Sequence, residues 1–192
     1  MYTRKGASRL LYFHINALAQ LAKANLGQDM RFIGLAGWSG AGKTTLLRRL
    51  IPVLVADGLR VSTIKHAHHA FDIDQPGKDS HTHREAGATE VLVSSSARWA
   101  LIHEHRGDVE PSLVPLLAKL DRVDLVIVEG FKREGHPKIE VYRAANGRAP
   151  LHPADPTIVA VASDVPFAGV VTIGLDDIAA IAECILTHAV WA

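Results

Sequence analysis

Residues 37–44 read Gly37-Trp38-Ser39-Gly40-Ala41-Gly42-Lys43-Thr44, and this octapeptide constrains the chain more than any other feature. It satisfies the spacing G-x-x-x-x-G-K-[ST] without deviation. Its flanks agree with the motif. Arg31 to Ala36 is a short apolar run that reads as a strand. Lys43 to Ala56 carries Leu46, Leu47, Leu50, Ile51 and Leu54 at helical spacing, and Gly58 is placed to stop that helix. Pro52 conflicts locally with the helix and is expected to bend it. Glycines in a strand-to-helix turn let backbone N–H groups close around an anion, and the positive end of the helix dipole points at the same place. The expected ligand is a nucleoside triphosphate with Mg²⁺. Lys43 would reach the outer phosphates, Thr44 would give its hydroxyl to the metal, and Thr45 would lie near the inner phosphate.

A metal at Thr44 needs a facing carboxylate. Leu125-Val126-Ile127-Val128 reads as a buried strand, and Glu129-Gly130 ends it. Ligands of open α/β sheets bind at the carboxyl ends of strands, so Glu129 is the candidate metal carboxylate, directly or through water. Gly130 would leave room for a terminal phosphate. Asp124 starts the same strand, at the wrong end for that task. Further apolar strands are expected at 60–65, 89–94, 98–103, 138–143 and 157–162. Helices are expected near 79–87, at 112–120 and after a cap at Asp176. Alternation of strands and helices implies an α/β three-layer sandwich of the P-loop NTPase kind, with a mainly parallel sheet. The close pair at 89–103 adds some antiparallel strands.

The bulk properties narrow the class. The chain has 192 residues, a formal net charge of +1 and one cysteine. Near-neutral charge gives no pull toward nucleic acid, and a single cysteine excludes an internal disulfide. No apolar run approaches the ~20 residues of a membrane helix. Residues 1–29 form an extension whose Leu11, Ile15, Leu18 and Ala22 recur at helical spacing. Its basic start and the Ala22-Lys23-Ala24 triplet also allow a secretory-signal reading, which His14, Asn16 and Gln20 argue against. The nucleotide-binding domain is then residues 30–192, in the cytoplasm.

Beyond the glycine loop, the chain resembles the molybdopterin-guanine dinucleotide biosynthesis adapter proteins, the MobB family. The resemblance rests on Ala36-Gly37-Trp38-Ser39-Gly40, Ile64-Lys65-His66-Ala67-His68-His69, Gly77-Lys78-Asp79-Ser80, Arg84-Glu85-Ala86-Gly87-Ala88, Val128-Glu129-Gly130-Phe131-Lys132 and Ala160-Val161-Ala162-Ser163-Asp164. It covers the chain from about Met30 onward. It implies a GTP-binding, weakly hydrolysing homodimer acting beside the guanylyltransferase that joins GMP to molybdopterin, with that enzyme, a molybdoenzyme or molybdopterin itself as partner. The residues alone leave GTP and ATP both open. Asp164, with Ser163 beside it, follows an apolar strand and is the candidate guanine reader, whereas the four-residue N-K-x-D base motif is absent.

Several other residues carry alternatives. His66, His68, His69, Asp72, Asp74, His81 and His83 are possible metal ligands, a contact for an anionic pterin phosphate, or a solvated loop. Lys65 ends a strand near the phosphate edge, and Asp79 is either a second metal partner or a helix cap. Trp38 would shield phosphates or meet a partner, and Lys132 could meet an anionic ligand. Arg98-Trp99 is expected to pack in the sheet and Cys184 in the core. Rival functions are an ATP-dependent small-molecule kinase or synthetase, for which Arg143 and Arg148 are weak lid candidates, and a GTP-driven metal chaperone using the histidines. Slow hydrolysis is expected, since no positioned Gln or arginine finger is evident.

Overall fold

The structure, a computed structural model, describes residues 30–67 and 71–192. The helical reading of 1–29, and His68 and His69, lie outside the described residues. Contacts divide the chain into two compact units. The first takes the described residues up to His66 together with Leu113–Ala192; the second lies within 67–112.

In the first unit the elements run β1 (Arg31–Ala36), α1 (Lys43–Ala56) and β2 (Val61–Lys65); in the second, α2 (Asp79–Glu85), β3 (Glu90–Ser94) and β4 (Trp99–His103). The first unit resumes with α3 (Leu113–Leu117), β5 (Leu125–Glu129), β6 (Lys138–Tyr142), a 3₁₀ turn (Ala144–Asn146), β7 (Ile158–Ser163), β8 (Val171–Gly174), α4 (Ile178–His188) and β9 (Val190–Trp191). Its seven-stranded sheet has the order β2-β5-β1-β6-β7-β8, with β9 pairing β1. Every pairing is parallel except β9 with β1, at Arg31↔Trp191 and Phe32↔Val190. A parallel sheet must be covered on both faces. Ile33 and Leu35 point into a core with Leu46, Leu50, Leu54, Ile127, Ile181 and Ile185, which seats α1 and α4. Phe32, Val126 and Val128 point the other way, onto Leu113 and Leu117 of α3. These are the three layers that the alternation of strands and helices implies.

The boundaries follow local chemistry. Leu46, Leu50 and Leu54 are the buried residues of α1, four apart on one stripe. Gly58 has φ 81°, Leu59 N–H donates to Leu54 O at 3.2 Å and Gly58 N–H to Val55 O at 2.9 Å, a Schellman stop. The helix runs through Pro52, which lies on its exposed side where water can serve the carbonyl that proline leaves without a donor. The cap of α4 is Asp177, one residue later than expected: its side chain accepts from Ala180 N–H at 3.0 Å, while Asp176 pairs with Arg49 at 2.6 Å. The short β8 and β9 were not expected from the pattern, because neither shows a full apolar alternation.

The second unit holds an antiparallel hairpin, β3–β4, in the register Val91↔Ile102 and Leu92↔Leu101. Trp99 lies in a sheet as expected, as the first residue of β4, but its side chain is 59% exposed, on the hairpin face that also shows Leu92 and Leu101. Asp79 is not a helix cap. Lys78 takes that position, and Asp79 is the first helical residue of α2. Asp72 and Asp74 are not arranged as metal ligands either. Both bind the Arg84 guanidinium, at 2.8 and 3.2 Å, with Glu104 as its third carboxylate at 2.7 Å. Hydrogen bonds, from Asp74 N–H and the guanidinium to Asp72 and from Ser80 and Gln75 N–H to Asp74, hold both carboxyls below their usual range.

Candidate functional site

β1 delivers the chain to the loop, and four features shape it. Gly37 has φ 139°, and a Cβ there would meet Val141 O at 2.5 Å, so only glycine lets the loop pass β6. Gly42 caps α1 in the left-handed region, φ 97°, and turns the chain into the helix, with Leu46 N–H donating to Gly42 O at 2.9 Å. Ser39 O accepts from Asn146 Nδ2 at 3.1 Å, and Trp38 Nε1 donates to Ala149 O at 2.8 Å. The segment after β6 therefore grips the glycine loop from outside. That segment is anchored in turn by Glu140, fully buried in β6, which accepts from Leu151 N–H at 2.7 Å, His152 N–H at 3.0 Å and His152 Nδ1 at 3.2 Å.

Lys43 lies half-buried, its Nζ donating to Gly37 O at 2.9 Å and Trp38 O at 3.0 Å. Burial pushes its pKa down; Glu129 works against that, and the charges of Lys132 and Lys65 add to it. Thr44 and Thr45 follow on the exposed first turn of α1. Glu129 closes β5 in register with Leu35 of β1 and Lys65 of β2. Lys43, Lys65, Lys132 and Glu129 thus converge on the carboxyl edge of the sheet. Gly130 follows at φ 99°, and a Cβ there would stand 2.6 Å from His66 Cβ. His66 N–H donates to Glu129 O at 2.8 Å, and the His66 ring packs on Phe131 with centroids 4.9 Å apart.

Two strands beyond β1, Ser163 ends β7 buried, with its Oγ accepting from Val165 N–H at 3.0 Å. Asp164 is exposed, and its Oδ1 accepts from Ala144 N–H at 2.9 Å. Gly37 to Thr45, Lys65, Glu129, Gly130, Ser163 and Asp164 all belong to the first unit, whereas Asp79 belongs to the second. Sequence reasoning missed Asn146 and Glu140. An Asn146-Gly147 turn signal and a charged residue between Ile139 and Val141 in a strand were the available clues.

The residues present fit an anionic phosphate chain: a cradle that a Cβ would fill, a helix start, and a lysine whose ammonium is held by loop carbonyls alone among the contacts described. Thr44 and Glu129 are a hydroxyl and a carboxylate of the kind Mg²⁺ takes alongside water. Among the described residues no group of three or more His, Cys, Asp or Glu side chains converges to hold a metal, and no helix is long and apolar enough to cross a membrane.

Comparison with known proteins agrees with this geometry. The sequence model described as "Molybdopterin guanine dinucleotide synthesis protein B" (MobB) matches residues 32–164. The chain is 43% identical over 158 residues to the molybdopterin-guanine dinucleotide biosynthesis adapter protein of Escherichia coli K12, covering 80% of this chain and 90% of that one. It is 43% identical over 143 residues to the Haemophilus influenzae protein of the same description, covering 73% and 79%. Among solved structures, a molybdopterin-guanine biosynthesis protein B superposes with a TM-score of 0.65 at 29% identity, over 81% of this chain and 98% of the other. Bacillus subtilis MobB, at 20% identity and a TM-score of 0.64 over 84% and 99%, shares the fold. With the glycine loop inside the matched residues 32–164 and two relatives 43% identical over most of its length, the chain belongs to the MobB family.

Proposed function

We propose that this protein binds GTP with Mg²⁺ and serves as an adapter in the synthesis of molybdopterin guanine dinucleotide, the guanylated form of the molybdenum cofactor. The observation that carries the reading is the glycine loop facing Glu129 across the carboxyl edge of the sheet, in a chain of this family. The loop amides from Gly37 to Gly42 would hold the phosphates, and Lys43 would swing from the loop carbonyls onto the outer ones. Thr44 and Glu129 would hold Mg²⁺. The bound metal would neutralise phosphate charge. Lys65 and Gly130 would border the terminal phosphate. Asp164, beside Ser163, would accept from guanine N1–H and the exocyclic amine, which adenine cannot supply in that pattern.

Hydrolysis would be weak, since no glutamine among these residues positions a water. The work would then lie in binding and presentation to a guanylyltransferase, a molybdoenzyme or molybdopterin, in the cytoplasm. A homodimer fits the reading, supported by the exposed apolar face of Leu92, Trp99 and Leu101. Isothermal titration tests the core of it. GTP with Mg²⁺ should bind in the micromolar range and ATP more weakly, and Lys43→Ala should cost roughly a hundredfold by removing charge-assisted bonds to phosphate. Equal or tighter ATP binding, or GTP binding untouched by Lys43→Ala, would refute it.

A further inference from the structure

Gly130 and Phe131 both have positive φ, 99° and 49°, immediately after the carboxylate Glu129. For glycine that conformation carries no Cβ penalty; for phenylalanine the Cβ crowds the following carbonyl oxygen, so the backbone is strained. Strain of this kind persists where the surroundings over-determine it, and it concentrates where a neighbouring group must be aimed. Here the Phe131 ring is held by the His66 ring and by the core beneath α3. The result is a turn that brings Lys132 back onto the glycine loop. Its Nζ stands 4.9 Å from the centre of the Trp38 ring, which is itself fixed by the Nε1 bond to Ala149 O. Arg148 lies over the same ring at 5.8 Å.

Lys132 has no carboxylate partner among the described contacts; its described contact is the face of an indole. A cation–π contact at a partly exposed site is weaker than an ammonium-to-phosphate bond. Its charge also reaches the phosphate lysine, since it helps to hold the Lys43 pKa down. A half-exposed ammonium parked on a weak support, next to the outer end of a phosphate cradle, is placed to leave that support for an oxyanion.

We infer that Lys132 is a second phosphate lysine that contacts the terminal phosphate of a nucleoside triphosphate, and that the Gly130–Phe131 turn aims it there from its resting place on Trp38. Lys132 therefore sets the preference for triphosphate over diphosphate, while Lys43 and the loop amides bind both. This rests on the nucleotide reading above and adds a discrimination to it.

The test is titration of the full chain, wild type, Lys132→Met and Lys132→Arg, with GTP and GDP in Mg²⁺, alongside Trp38 fluorescence isolated by subtraction of a Trp38→Phe variant. K132M should weaken GTP about ten- to a hundredfold, the worth of one charge-assisted bond, and leave GDP within about twofold. K132R should restore most of the GTP affinity. In wild type the Trp38 emission should change on GTP and hardly on GDP, and K132M should abolish that difference. A GTP-to-GDP ratio unchanged in K132M overturns the inference and leaves the nucleotide reading standing. Equal loss for both nucleotides also overturns it, because a lysine that merely stiffens the loop would act that way. Wild type that binds neither nucleotide would sink both readings together.

Discussion

Replacing Glu140 by Gln would separate the glycine loop from its outer brace without touching a loop residue. Glu140 is fully buried, and both of its oxygens accept from the segment that holds Trp38 and Ser39. Glutamine keeps the size but offers one oxygen. Its NH₂ would face either Leu151 N–H or His152 N–H, donor against donor. One buried amide left without an acceptor costs about 1–3 kcal/mol, and losing the charge-assisted character of the remaining bonds adds about 1 kcal/mol, so a loss of about 2–4 kcal/mol is expected. With a urea m-value of about 2 kcal/mol/M, the midpoint should fall by about 1–2 M. Asn146 and Ala149 would then be held less firmly, so Trp38 emission should shift to the red under native conditions, and GTP affinity should fall further than for a surface variant such as Lys119→Ala. A midpoint displaced by less than about 0.3 M, with Trp38 emission unchanged, would refute the bracing argument.

Other consequences follow from particular side chains. Gly130→Ala should destabilise the first unit by about 2–4 kcal/mol, from its positive φ and the 2.6 Å approach of His66 Cβ, read by chemical denaturation; a change under about 0.5 kcal/mol would show that the turn yields freely. His136 is buried, its ring nitrogens have no hydrogen-bond partner among the described residues, and it faces Phe32 at 5.7 Å with Lys138, Glu134 and Asp155 around it. Burial and then the Lys138 charge push its pKa down to about 4, against about 6.5 for a free histidine. The unfolded chain binds the proton first, so stability should be whole above about pH 6.5 and fall by on the order of 1–2 kcal/mol, discounted for solvent screening, as pH drops toward 4. His136→Met should flatten that slope in pH-dependent denaturation, and an unaltered slope would reject the assignment.

Much of the fold was legible because the strongest signals were local. An apolar strand, glycines at fixed spacing and leucines four apart placed β1, the loop and α1 before any tertiary contact was known. The place of Glu129 was legible for the same reason: a carboxylate after a run of four apolar residues falls at the carboxyl end of the strand. Long-range pairings were not legible. Nothing in the spacing of Glu140 announces that it will hold Leu151 and His152, and Lys138 reads as a solvated strand residue. Yet Lys138 is fully buried, its Nζ donating to Glu134 O, His136 O and Thr157 Oγ1 with Asp155 at 3.7 Å. Asp72 and Asp74 misled in the opposite sense. Clustered with histidines they look like metal ligands, and only the fold reveals that Arg84 claims them.

The first unit's chain breaks off at His66, just after β2, and resumes at Leu113, the first residue of α3, and both ends are tied to one short stretch. His66 N–H is held by Glu129 O, and Leu113 N–H lies 3.5 Å from Glu134 Oε1. Both ends of the first unit's chain at this gap are thus pinned to one stretch of its own, Glu129 to Glu134, which also carries Lys132, so a change in that stretch disturbs both ends at once.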